Sequence, residues 1–106
     1  MPVFQISAND NNLGEYRGET AAEALDAYAR DAGYRDYADV AAQFGDDASA
    51  LQIDVGALTK AAGEYFNAAV FQDAYGSGVA VIDGMSFDNY TQLAEAIGRR
   101  VWDFKV

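Results

Sequence analysis

Carboxylates are the one chemically versatile group in good supply in this chain. Seventeen Asp and Glu stand among 106 residues, with no histidine and no cysteine. Glu19, Glu23 and Asp26 follow one another at i, i+4 and i+7, which on a helix sets three acids on one face. Paired carboxylates can do general acid–base work when burial raises one of them toward a neutral pKa. The plainer reading is a solvated helix face, its acids near the N-terminus where the macrodipole favours them, with an Asp26–Arg30 pair one turn on. The plainer reading is preferred. Without Cys or His, disulfides, zinc fingers, imidazole metal sites and thiol or Ser-His nucleophiles are excluded. The hydroxyls of Ser77 and Ser86 have no histidine to activate them.

Two further patterns fall short of a site. Asp46-Asp47 and the loop Asn9-Asp10-Asn11-Asn12 offer oxygen ligands, but neither has the spacing of a calcium-binding EF-hand loop. Turn chemistry accounts for both. Gly76-Ser77-Gly78 lacks the Walker pattern and its lysine, so it reads as an ordinary turn. No cofactor and no metal is expected, and the chain reads as a non-enzyme.

Local signals predict the elements that carry these groups. Residues 3–6 are β-rich, the Asn/Asp cluster after them is a turn, and residues 13–17 form a second strand. Thr20 and Glu23 make a capping box for a helix whose inner face is Leu25, Tyr28, Ala29 and Ala32, ended by Gly33. Asp36 caps a short helix over 37–44, closed by Gly45. Residues 51–55 alternate like a strand. Residues 57–73 show helical spacing, although Tyr65-Phe66 and Val70-Phe71 also suit a strand, so 65–71 stays open. A short buried strand covers 79–82, Ser86 caps a helix over 87–97 that stops at Gly98, and 101–106 closes the chain as a last strand. The sum is an α+β fold, a small and mostly antiparallel sheet with three to four helices packed on one face.

Length and composition bound the rest. A chain of 106 residues, 51% hydrophobic, is one domain's worth and has ample material for a core, so a single acidic domain over 1–106 is expected. The formal net charge is −10. Residues 1–54 hold eleven acids and three bases, whereas 55–106 hold six acids and four bases. Most of the excess charge therefore belongs to the first half. Such a balance argues against direct nucleic-acid binding, which needs a basic face to release counterions, and against an anionic membrane surface. No apolar run approaches the ~20 residues of a membrane span, and the opening Met-Pro-Val-Phe-Gln does not read as a signal peptide. A cytoplasmic location is expected.

Tyrosines accompany the acids. Tyr16, Tyr28, Tyr34 and Tyr37 lie in a stretch that also holds Glu15, Glu19, Glu23, Asp26, Asp31, Asp36 and Asp39. Tyr28 shares the core face with Leu25. Tyr34 and Tyr37 flank a turn, where a partly exposed ring either covers the edge of the core or anchors a protein partner. Acids and aromatics together suit a surface that imitates nucleic acid, since duplex DNA carries one charge per about 1.7 Å of axis. Acidic surface also serves solubility alone.

Residues 14–34, GEYRGETAAEALDAYARDAGY, resemble an opening found in short bacterial and mobile-element proteins. The whole profile is similar in type to phage-encoded anti-CRISPR proteins, which are small, acidic, cytosolic and without catalytic motifs. That resemblance implies an inhibitor acting in the bacterial host cytoplasm on a Cas subunit or another basic nucleic-acid-binding protein. It transfers no functional residue. The residues expected from their chemistry to bind the partner are Glu19, Glu23, Asp26, Asp31, Asp36 and Asp39, with Tyr34 and Tyr37 as anchors. Charge reversal at Glu23, Asp26 and Asp39 together is expected to weaken that binding and spare the fold. The alternative is an interaction module with no defence role, a homodimer joined through aromatics near Phe71, Tyr75 and Trp102.

Overall fold

The N-terminal hairpin begins where the turn chemistry puts it. Strand β1 (Val3–Ala8) returns as β2 (Asn11–Arg17) through Asn9 and Asp10 alone. Both turn residues have positive φ, 51° and 66°, as a two-residue turn of matching twist requires. The strand register slips between Ile6 and Ser7, opposite Leu13. Leu13 is the extra residue of a bulge, and Gly14 follows it at φ 116° with its N–H on Asn12 Oδ1. Strand β3 (Ala48–Gln52) pairs antiparallel with the other edge of β1, so the sheet runs β2-β1-β3.

The computed structural model describes residues 2–72, 79–81 and 85–106, without side chains for 71, 72 and 79–81. Two compact units share the chain, Met1–Ile53 and Asp54–Val106. The boundary falls beside the break in charge. The first unit holds ten acids and three bases, the second seven acids and four bases.

In the first unit, helix α1 (Ala21–Asp31) lies against the sheet. Phe4, Ile6 and Ala24 form a buried cluster, with Leu13, Tyr16, Leu25, Tyr28, Ala48 and Ala50 packed around it, and Val3, Ala29, Val40, Leu51 and Ile53 are buried as well. Burying these side chains is the main favourable term holding helix to sheet. Thr20 Oγ1 accepts the Glu23 N–H at 3.2 Å, as its cap position demands. The helix ends in a Schellman arrangement: Gly33 N–H donates to Arg30 O, and Tyr34 N–H donates to Ala29 O. Helix α2 (Tyr37–Phe44) has Asp36 at its N-cap and Gly45 after its last turn.

The second unit opens with helix α3 (Val55–Phe66), whose N-cap is Asp54 and whose end is set by Asn67 in the left-handed region. A small sheet, β4 (Val70–Gln72), β5 (Val79–Val81) and β6 (Ser86–Phe87), runs in chain order and is antiparallel throughout. Helix α4 (Tyr90–Ala96) and a 3₁₀ turn (Val101–Phe104) complete it. Among its described residues Leu58, Ala62, Tyr90, Leu93, Ala94, Ile97, Val101 and Phe104 are buried.

The α+β class and the antiparallel sheet agree with the sequence, and four places differ in detail. Val55 begins a helix rather than ending a strand. The open stretch 65–71 divides, with Tyr65 and Phe66 in α3 and Val70 and Phe71 in β4. Ser86 does not cap a helix but pairs with Ala80, and Asn89 caps α4 by accepting the Gln92 N–H at 2.8 Å. Asn89 prevails because Gln92 Oε1 also reaches back to the Asp88 N–H at 3.2 Å, satisfying a second amide at the start of the helix.

The fourth is residues 101–106, which are no strand. Val101 and Phe104 stand three apart and are both buried, the spacing of a 3₁₀ turn. Asp103 Oδ2 holds that turn through the Arg100 N–H and Arg99 Nε, each at 3.2 Å. The turn predicted at 76–78 and the end of the strand at Ile82 lie outside the described residues.

Candidate functional site

Five of the ten acids of the first unit stand at two helix starts. At α1, Glu23 Oε2 accepts the Glu19 N–H at 2.7 Å. The capping box is thus displaced by one residue, because its glutamate reaches past the cap to the amide before it. Glu19 itself precedes Thr20 and lies outside the helix, so the three acids at 19, 23 and 26 do not share one helical face. The carboxylates of Glu23 and Asp26 are engaged separately, on different amides.

At α2 three carboxylates converge. Asp26 Oδ1 accepts the Tyr37 N–H at 2.9 Å, Asp36 Oδ1 accepts the Asp39 N–H at 2.9 Å, and Asp39 Oδ2 accepts the Arg35 N–H at 3.4 Å. Asp39 Oδ1 also accepts Gln43 Nε2 at 3.2 Å. Like charges so close repel, and the positive end of the helix with its free N–H groups offsets that repulsion. Asp26 therefore serves α2 rather than Arg30. The expected Asp26–Arg30 ion pair is not formed; in the second unit Arg99 Nε and Asp103 Oδ2 pair at 3.2 Å.

The remaining expected residues lie at the other end of α1 and around α2. Asp31 Oδ2 accepts the hydroxyl of Tyr16 at 2.7 Å. Tyr16 also meets the ring of Tyr28 edge-on, with centroids 5.9 Å apart. Burial, then the hydrogen bond to Asp31 and its charge, pushes the Tyr16 hydroxyl up to about 12. Tyr34 is half-buried and sits edge-on to Phe44 at 5.8 Å. Tyr37 is half-buried as well. Its hydroxyl donates to Asp46 Oδ1 at 2.7 Å and accepts the Ala48 N–H at 3.1 Å. Burial and Asp46 together raise its pKa. The hydroxyl of Tyr37 is thereby held within the unit.

Between Tyr34 and Tyr37 lies a concavity of about 210 Å³, walled by Leu13, Tyr28, Tyr34, Tyr37, Val40 and Phe44, with Asp47 also lining it. Sequence reading did not single out Phe44 or Asp47 as partner residues. Phe44 ends a helix before a glycine and Asp47 sits in a turn, and both positions have local explanations. Only the approach of Phe44 to Tyr34, ten positions earlier, reveals a shared wall.

Compared with known protein families, curated proteins and solved structures, the chain shows no match. Among the described residues no helix is long and apolar enough to cross a membrane.

Proposed function

We propose that this protein is a non-enzymatic inhibitor that binds a basic, nucleic-acid-handling protein of a bacterial defence system, in the manner of an anti-CRISPR protein on a Cas effector. One observation carries the reading. Asp26, Asp36 and Asp39 gather at the start of α2, in a unit holding ten acids against three bases. Glu23 and Asp31 extend the charge along α1 over eight residues, about 12 Å at 1.5 Å per residue. Duplex DNA spreads about seven phosphate charges over that length. Glu23, Asp26 and Asp31 stand along that length and Asp36 and Asp39 beside it at α2, five charges against those seven.

The array is also held in advance of binding. Four of its carboxylates are fixed on backbone amides and a fifth on the Tyr16 hydroxyl, so little side-chain entropy remains to be lost on association. A basic channel that holds nucleic acid would meet an ordered set of acceptors. Encounter would be fast and sensitive to salt. Direct binding of nucleic acid is disfavoured by the same charge.

Capture of tagged protein from lysates carrying different CRISPR–Cas effectors tests the reading. The expected result is a Cas subunit retained at low salt, released by added salt and displaced by DNA. Retention of no defence protein at any salt overturns it.

Exposed aromatics in the second unit favour a different reading, an interaction module that forms a homodimer. Trp102 is 49% exposed and Tyr65 63%. Phe71 and Tyr75, the other residues expected on such a surface, have no described side chains. A dimer of that kind persists at high salt in light scattering, whereas the acidic inhibitor is expected to be a monomer or to dimerise through its less acidic half.

A further inference from the structure

We infer that the tyrosine-walled concavity of the first unit receives one arginine side chain of the basic partner, an inference that rests on the acidic unit being the partner-binding surface. At about 210 Å³ the concavity is smaller than the ~300–1,000 Å³ typical of small-molecule sites. Its size suits one long side chain. The aromatic rings and aliphatic groups that wall it match a methylene stem, and Asp47 beside them matches a positive head.

Charge selects the class of occupant. Asp47 accepts no hydrogen bond and makes no ion pair among the described residues, in contrast to Asp46, which holds the Tyr37 hydroxyl. An apolar occupant would strip water from Asp47 and give nothing back. An anion would meet a unit with seven acids in excess. A cation answers both.

Geometry selects arginine over lysine. Tyr34 and Phe44 stand nearly perpendicular, at 83°, and both line the concavity beside Tyr28 and Tyr37. A planar guanidinium stacks on a ring face and offers a fork of donors to a carboxylate, whereas an ammonium is a compact, strongly hydrated point charge. The pocket is prepared before the partner arrives, because both hydrogen bonds of the Tyr37 hydroxyl are made within the unit.

The test uses the full chain and two short peptides, one of alternating glycine and arginine, the other of alternating glycine and lysine, equal in length and charge. Calorimetry should show the arginine peptide binding about fivefold to tenfold more tightly, the size of one partly exposed cation–π contact. Phe44→Ala should abolish that preference while the lysine peptide keeps its affinity. Phe44 is 65% exposed, so this variant is expected to fold, which circular dichroism checks. Asp47→Asn should likewise reduce the preference, and Glu19→Gln, away from the pocket, should weaken both peptides alike. Equal binding of the two peptides, unaffected by Phe44→Ala, overturns the arginine pocket and leaves the acidic array standing. Failure of both peptides to bind at low salt overturns the array as well.

Discussion

Asp26 Oδ1 accepts the backbone N–H of Tyr37 at 2.9 Å, tying the middle of α1 to the first residue of α2 across eleven positions. An acid expected on a solvated face thus completes the start of the next helix. Asp26→Ala should cost about 1–2 kcal/mol in urea unfolding, because it orphans a partly buried donor. Asp26→Asn retains an acceptor and should cost well under half of that. The same bond changes how the array is tested. Glu23, Asp26 and Asp39 all hold backbone amides, so reversing their charge also removes three caps and does not spare the fold. The triple variant E23Q, D26N and D39N keeps acceptors at all three positions, and partner affinity should fall with only a small loss of stability.

Tyr16 makes the first unit sensitive to alkali. Its hydroxyl ionises near 10.0 in the unfolded chain and near 12 in the fold. Between those values the unfolded chain binds fewer protons, so stability falls as pH rises from 10 to 12 and is fully present below 10. The loss should amount to about 1–2 kcal/mol after allowance for partial exposure. Tyr37 is shifted in the same direction and adds to it. In Tyr16→Phe the decline in unfolding midpoint above pH 10 should be shallower. An unchanged slope would refute the role of Tyr16.

Two glycines separate steric from conformational need. A Cβ at Gly18 would stand 2.8 Å from the Ala24 nitrogen and 2.9 Å from the Glu23 Cβ, in the first turn of α1. At Gly33 a Cβ would meet nothing within 4 Å, but φ is +97°. Gly18→Ala should therefore destabilise by about 2–3 kcal/mol, and Gly33→Ala by about 1 kcal/mol. The reverse order in thermal unfolding would contradict the close approach of Gly18 to α1.

The cap of α4 gives a direct comparison. Asn89→Ala should cost about 1 kcal/mol through the lost bond to Gln92. Ser86→Ala should be nearly neutral, since Ser86 joins the small sheet through its backbone. Hydrogen exchange at the Gln92 amide reads the difference locally.

Asp103 predicts the response of the second unit to acid. The Arg100 N–H, and after it the Arg99 side chain, hold its carboxyl below the usual 3.8. Its contribution is present above 3.8 and is lost as pH falls through the lower folded value. Emission from Trp102, the neighbouring residue and the only tryptophan, should follow that loss, and Asp103→Asn should remove the transition.

The sequence by itself determined the charge, its bias toward the first half, the α+β class and most helix ends. Thr20, Gly33, Asp36 and Gly45 act where they were expected because caps and C-terminal glycines close bonds over three to five residues, within reach of local backbone geometry. The tertiary structure decided which acceptor met which donor when both were on offer. Local pattern points to Ser86 as the cap, but strand pairing takes Ser86 into the small sheet and the helix starts at Asn89 instead. Val101 to Phe104 alternates like a strand until burial of the i, i+3 pair and the grip of Asp103 curl it into a turn. The partnerships that shape the candidate surface span longer stretches: Asp26 with Tyr37, Asp31 with Tyr16, Tyr34 with Phe44. Each forms only after the chain reverses and packs α1 on the sheet and α2 beside α1, so no local pattern carries it.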